Sequence, residues 1–181
     1  MRIAVLKTGS APRHIRETHG DFEDLFEGLL GQSGQQWEVY DAEHDELPDM
    51  NEGHTAYLVT GSPASMTESP PWILNLLELI RQIHATQRTL LGICFGHQAL
   101  ARALGGVVRR NPQGEDIGTT SLTWTPSAKK IPALDLAPQP LRILEVHEDN
   151  VSSLPPGALH LAFSARTPHE IFALGDHTLG L

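Results

Sequence analysis

Apolar positions follow two alternating rhythms along the first half of the chain. Ile3-Ala4-Val5-Leu6 is a short continuous apolar run closed by Thr8-Gly9-Ser10, the pattern of a strand buried on both faces. Phe22, Leu25, Phe26, Leu29 and Leu30 recur at one-face helical spacing. They predict a helix that packs by this stripe and exits through Gly31 in the left-handed region. Trp37 to Asp41 predicts a second strand and Ala56 to Thr60 a third, the latter closed by Gly61-Ser62-Pro63. An acidic loop, Asp41 to Glu52, lies between them. Ser69 is placed to cap a helix with Pro70 and Pro71 in its first turn, and Trp72, Ile73, Leu76, Leu77, Ile80 and Ile83 keep helical spacing to Ala85. Trp72 and this stripe read as core. Thr89 to Ile93 then predicts a fourth buried strand, and Gln98 to Leu104 a short helix that Gly105-Gly106 ends.

Strands alternating with helices predict an α/β fold, an open and mostly parallel sheet with helices on both faces. After Val107-Val108 the pattern changes. Prolines from Pro112 to Pro156, Pro138 among them, punctuate short β-like runs at Thr119 to Thr125, Leu141 to Val146 and Leu159 to Phe163, which predicts antiparallel or edge strands in the C-terminal third. No repeat or linker divides the chain, so one domain is expected over residues 1–181. The final run His177-Thr178-Leu179-Gly180-Leu181 is apolar and reads as an element cut short.

Charge narrows the function classes. Lys and Arg number 13 against 22 Asp and Glu, a formal net charge of -9, with no basic cluster larger than Arg109-Arg110 or Lys129-Lys130. A nucleic-acid surface is therefore not expected. No apolar run approaches the length of about 20 residues that a membrane span needs. Ile3 to Leu6 is too short for the core of a signal peptide. The single cysteine, Cys94, forms no internal disulfide, so a cytoplasmic location is expected. There are ten histidines, but no two stand one helical turn apart at i, i+4 and no cysteine cluster joins them, so neither a metal nor a cofactor is expected.

Gly92-Ile93-Cys94-Phe95-Gly96-His97-Gln98 sits where the fourth strand turns into a helix. A nucleophile at such a turn is held in a strained backbone conformation with its neighbours close by, and small residues on both sides permit this. Gly92 and Gly96 meet that need. A helix N-terminus aimed at Cys94 would lower its thiol pKa and could hold a developing oxyanion. The plainer alternative is a buried cysteine acting as a small hydrophobe, and the flanking glycines favour the nucleophile.

This segment resembles the Gly-x-Cys-x-Gly-x-Gln elbow of class I glutamine amidotransferase domains. Three further segments agree with that family in order along the chain. Thr60-Gly61-Ser62-Pro63 resembles its oxyanion loop, and Gly105-Gly106-x-Val108 follows the elbow helix as it does there. His147-Glu148-Asp149-Asn150-Val151 with Leu154-Pro155 resembles its His-x-Asp-x-Val then Leu-Pro segment. The likeness is greatest to stand-alone proteins related to the amidase part of GMP synthase, a branch that includes γ-glutamyl peptidases. No Ser-Gly-Gly pyrophosphatase loop follows, so no fused synthetase is expected. A separate synthetase could accept the ammonia. The resemblance implies that Cys94 attacks the side-chain amide of glutamine, forms a thioester and releases ammonia, while the N–H groups of Gly61 and Phe95 hold the oxyanion. It also implies that Gln98, with the backbone at Glu148 and Asp149, holds the glutamine head group. A γ-glutamyl compound is the alternative substrate.

One part of the family pattern is missing. Its base is the His of a His-Pro-Glu motif, and none of the ten histidines is followed by Pro-Glu; Pro168-His169-Glu170 has the order scrambled. Either the chain is a shortened form of a longer protein, or it is a silent binding or regulatory domain; the apolar end favours the first. His147 with Asp149 is not expected to substitute as base. His97, beside the nucleophile, is expected on the surface of the elbow helix or packed beneath it.

Overall fold

A computed structural model describes residues 1–132, 134, 137 and 140–181; Pro138 lies outside the described residues. The first half alternates as β1 (Arg2–Lys7), α1 (Arg13–His19), α2 (Phe22–Leu30), β2 (Gln36–Asp41), β3 (Ala56–Val59), α3 (Pro71–Ala85), β4 (Thr89–Gly92) and α4 (Phe95–Ala103). The second half is strands: β5 (Val107–Arg110), β6 (Asp116–Trp124), β7 (Leu141–His147), β8 (Asp149–Ser153), β9 (Leu159–Phe163), β10 (Ile171–Leu174) and β11 (Thr178–Gly180). Nine strands form one sheet in the order β2-β1-β3-β4-β11-β10-β9-β6-β7, and β5 pairs with β8 in a separate antiparallel ribbon. The five strands from β2 to β11 run parallel, and the pairings from β11 to β7 are antiparallel. The protein is thus α/β with a mixed sheet that is parallel where its helices pack and antiparallel late in the chain.

Burial explains the parallel half. All four residues of β3 and the central four of β1 are buried, as strands covered on both faces must be. Ala4, Leu6, Tyr57, Val59 and Leu90 form one core cluster with the α3 stripe of Ile73, Leu76, Ile80 and Ile83 and with Phe95, Ala99 and Leu100 of α4. A second, smaller cluster around Leu122, Leu161 and Ile171 serves the antiparallel half.

Several local expectations are corrected. The stripe of α2 packs only in part: Phe22 and Phe26 are half-buried, but none of its residues is fully buried and Leu29 is 77% exposed. Spacing fixes which side of a helix is apolar, not whether a neighbour covers it. Polar contacts anchor α2 as well. Asp21 caps it in a capping box with Asp24, and Lys7 bridges Asp21 at 2.8 Å and Glu23 at 2.7 Å. Burial alone would raise the Asp21 carboxyl, but the Lys7 ammonium and the Ala11 and Phe22 amides outweigh it and hold the group far below the usual carboxylate range. Gly31 is extended at φ -66° and not left-handed; a Cβ there would stand 2.3 Å from the Glu27 carbonyl oxygen, so close approach is what requires glycine. Ser69 does not cap α3. The cap is Pro70, and the Ser69 hydroxyl accepts a 2.7 Å hydrogen bond from Arg102. The elbow helix begins at Phe95, three residues before Gln98, and α1 carried no periodic signal. The last strand, β11, stands in mid-sheet between β4 and β10.

Ile80→Ala, at a site with no exposed surface, should lower the unfolding free energy by about 2–5 kcal/mol in a urea titration. In the same experiment Leu29→Ser should change it by no more than about 0.5 kcal/mol.

Candidate active site

The turn after β4 is clamped from both sides. The Ile93 N–H donates to the Val59 carbonyl at 3.0 Å and the Gly96 N–H to the Thr60 carbonyl at 3.1 Å, which ties the turn to the end of β3. Beyond the opposite edge of β4, the Cys94 N–H donates to the Leu181 carbonyl at 2.8 Å, and the Leu181 N–H to that of Gly92 at 3.0 Å. Both elbow glycines are required by space. A Cβ on Gly96 would lie 2.3 Å from the Val59 carbonyl oxygen, and one on Gly92 would lie 2.5 Å from that of Gly96. Cys94 itself sits at φ 56°, ψ -107°, a region that costs a non-glycine residue about 1–3 kcal/mol. That strain points its half-buried side chain over the first turn of α4.

Gly61 and Phe95 flank the thiol. A Cβ on Gly61 would touch the Cys94 Cβ at 3.8 Å, so the Gly61 backbone lies against the cysteine. Phe95 is buried and stacks on Trp72 with centroids 5.7 Å apart, which fixes the start of the helix, and its N–H is directed at the sulfur. Trp72 therefore packs as core. The expectation of a lowered thiol pKa is reversed. Burial pushes the Cys94 thiol up, the Phe95 N–H opposes this, and the Glu145 carboxylate adds to the rise. One helix N-terminus does not offset the loss of water around the sulfur.

A cavity of about 560 Å³ opens beside Cys94 and brings Phe95, Gln98, Glu148 and Asp149 to its wall together with Ser62–Ser65, Arg110 and Glu115. Buried Gln98 donates from Nε2 to the Asp149 carbonyl at 2.8 Å, and the Glu148 carbonyl accepts from the Asn111 N–H at 2.8 Å. Each of these two carbonyls thus accepts one hydrogen bond from within the protein. The Asp149 side chain does more than its backbone. Its Oδ2 accepts from the Ser65 hydroxyl at 2.5 Å and the Met66 N–H at 3.0 Å, latching the loop after β3 to β8. At the rim Arg110 pairs with Glu148 at 3.2 Å.

A second cavity of about 150 Å³ lies on the other side of Cys94, walled by His97, Glu145, His147 and Glu170 among others. His97 is packed beneath the elbow against Gly180 and Phe172, and burial pushes its imidazole down to about 4, so it stays neutral. His147 faces both cavities, with Nε2 4.0 Å from Glu145 Oε2. Burial, followed by the neighbouring Glu145 charge, pushes the Glu170 carboxyl up. Sequence reading missed Glu145 and Glu170. The signal for Glu145 lay in β7, where Leu141, Ile143, Glu145 and His147 share the inward face, so that a carboxylate continues an apolar alternation.

Residues 19–181 match the family model for class-I glutamine amidotransferases. The chain belongs to that family. It is similar to γ-glutamyl peptidase 3 of Arabidopsis thaliana, with 30% identity over 181 residues, 97% of this chain and 73% of the relative. Among solved structures it is similar to a glutamine amidotransferase from Thermotoga maritima, with a TM-score of 0.79 at 22% identity over 100% of this chain and 74% of that one. A glutamine amidotransferase from Methylobacillus flagellatus aligns with a TM-score of 0.75 at 27% identity, over 100% of this chain and 68% of that one. No helix among the described residues is long and apolar enough to cross a membrane.

A raised thiol pKa means less thiolate at neutral pH. Iodoacetamide should alkylate Cys94 more slowly than a free model thiol at pH 7.5, and the rate should still climb at pH values where the model thiol has levelled off. Glu145→Gln should speed the reaction by removing a charge that opposes the thiolate. Mass-spectrometric time courses read both effects.

Proposed function

We propose that this member of the family is a cysteine hydrolase acting at the γ-carbonyl of a γ-glutamyl compound through a Cys94 thioester. The observation that carries the proposal is the strained Cys94, set between the Gly61 and Phe95 backbones and open to the cavity of about 560 Å³. Such a volume lies within the range of about 300–1,000 Å³ common for ligand sites and leaves room for a leaving group larger than ammonia. At the rim, the Arg110 guanidinium and the Glu148 carboxylate match the α-carboxylate and α-ammonium that every γ-glutamyl compound carries. Gln98 and Asp149 act by holding the wall in shape: one fixes the β8 backbone, the other the loop that carries Gly61.

In the proposed sequence Cys94 loses its proton to a base and Sγ attacks the γ-carbonyl carbon. The oxyanion is met by the N–H groups of Gly61 and Phe95. The C–N bond breaks, the amine leaves with a proton, and water cleaves the thioester to release the γ-glutamyl group as glutamate and restore the thiol. His-Pro-Glu does not occur in the 181 residues, so the family likeness assigns none of them as the base. Two features speak against giving His147 that step: its Nε2 is turned toward Glu145 and its Nδ1 is buried.

A 30%-identical relative named as a γ-glutamyl peptidase and aligned with nearly the whole chain favours a peptide substrate over ammonia delivery to a synthetase. Turnover of glutathione should therefore exceed that of glutamine by kcat/KM. Cys94→Ser should lower either by about a thousandfold or more. A glutamine-mimicking diazo-ketone should add once to the protein and not to Cys94→Ser. Undiminished turnover in Cys94→Ser would exclude the thioester, faster turnover of glutamine would favour ammonia release, and neither turnover nor adduct would leave a silent domain.

A further inference from the structure

The smaller cavity behind Cys94 holds a group of side chains for which hydrolysis has no use. Glu145 from β7 and Glu170 from the turn before β10 are each 7% exposed, and His147 lies two residues beyond Glu145 on the same inward face. One ligand atom from each of the three falls within 4.8 Å of the other two. Among the described residues, Glu145 Oε1, Glu170 Oε1 and His147 Nδ1 are buried without a hydrogen-bond partner. The Arg166 guanidinium, whose charge also reaches Glu145, is paired with Asp116. Two other groups of similar composition differ in this respect. In Glu38–Glu52–His54 the carboxylates are bound by Arg2 and Tyr40, and Asp41–Glu43–His44 lies at the surface.

Two facing buried carboxyl groups cannot both ionise cheaply: one keeps its proton, or a cation takes the proton's place between them. An incoming ion would displace the proton that burial keeps on Glu170, and the two carboxylates with a neutral imidazole then carry a charge of about -2, the complement of a divalent ion. The nitrogen donor separates the set from the all-oxygen cages of Ca²⁺ and Mg²⁺ and matches first-row transition ions. Metal–ligand distances of about 2.0–2.2 Å bring ligand atoms to about 3.5 Å of one another, so a modest side-chain adjustment closes the set. Three protein ligands leave a position open on the cavity side, the arrangement of an exchangeable site. We propose that Glu145, His147 and Glu170 bind one divalent first-row transition-metal ion, which enters through the cavity behind Cys94.

Isothermal titration of Zn²⁺ into the full chain carrying Cys94→Ser, so that no thiol competes, tests this independently of any hydrolysis. The expected result is one ion per chain, with binding weakened at least about tenfold by Glu145→Gln and by Glu170→Gln. Mn²⁺ should show the same stoichiometry by electron paramagnetic resonance, and Mg²⁺ should not compete. Should a Gln variant fail to fold, His147→Gln takes its place, and the stoichiometry of the parent chain remains a test by itself. Three results would overturn the site: no stoichiometric binding, equal affinity in the Glu145, His147 and Glu170 variants, or binding seen only when Cys94 is present.

Discussion

Everything at this site depends on how closely the first turn of α4 approaches the end of β3. The Gly96 N–H reaches the Thr60 carbonyl only because nothing stands where a Cβ would meet the Val59 oxygen at 2.3 Å. That contact sets Cys94 at its unfavourable backbone angles, and the Gly61 backbone lies against it as a result. A side chain at residue 96 would have to lift the helix, and the distance between Gly61 and Cys94 would open with it. The strain at Cys94 is held by two hydrogen bonds toward β3 and two shared with Leu181.

Water exclusion is the second organising condition. The same burial that rigidifies the elbow pushes the Cys94 thiol up, His97 down and Glu170 up. All three shifts favour the uncharged form. The elbow is built to hold geometry, and its residues remain neutral until a charge is brought to it. A cation between Glu145 and Glu170 would act on Cys94 through the Glu145 carboxylate, one of the groups that disfavours the thiolate.

How much could be read beforehand depended on whether a residue's neighbours lie nearby in sequence. Gly92, Cys94 and Gly96 were legible because the steric requirement of a strand-to-helix turn is written within five residues. The buried strands β1, β3 and β4 were legible for the same reason, being continuous apolar runs. The α2 stripe misled because no local pattern reports whether a neighbouring element covers Leu25 and Leu29. The N-terminus of α4 was read correctly as a partial positive charge, but the desolvation that outweighs it comes from chain segments far away. Glu145 and Glu170 meet only because β7 and β10 belong to one folded sheet, and their pairing has no sequence spacing to announce it.

The place of β11 has a consequence for how the chain is made. Thr178 to Gly180 pairs with Leu90 to Gly92 across nearly half the chain, in the middle of the sheet. During synthesis the parallel strands emerge long before the strand that joins them to the antiparallel half. Until then the free edge of β4 must stay unpaired, while the backbone groups that will lock the elbow are still undelivered. Such a late, non-local closure is slow and leaves a sticky edge in the nascent chain. The backbone of Cys94 is therefore locked by a pairing that must wait for a segment nearly half the chain away.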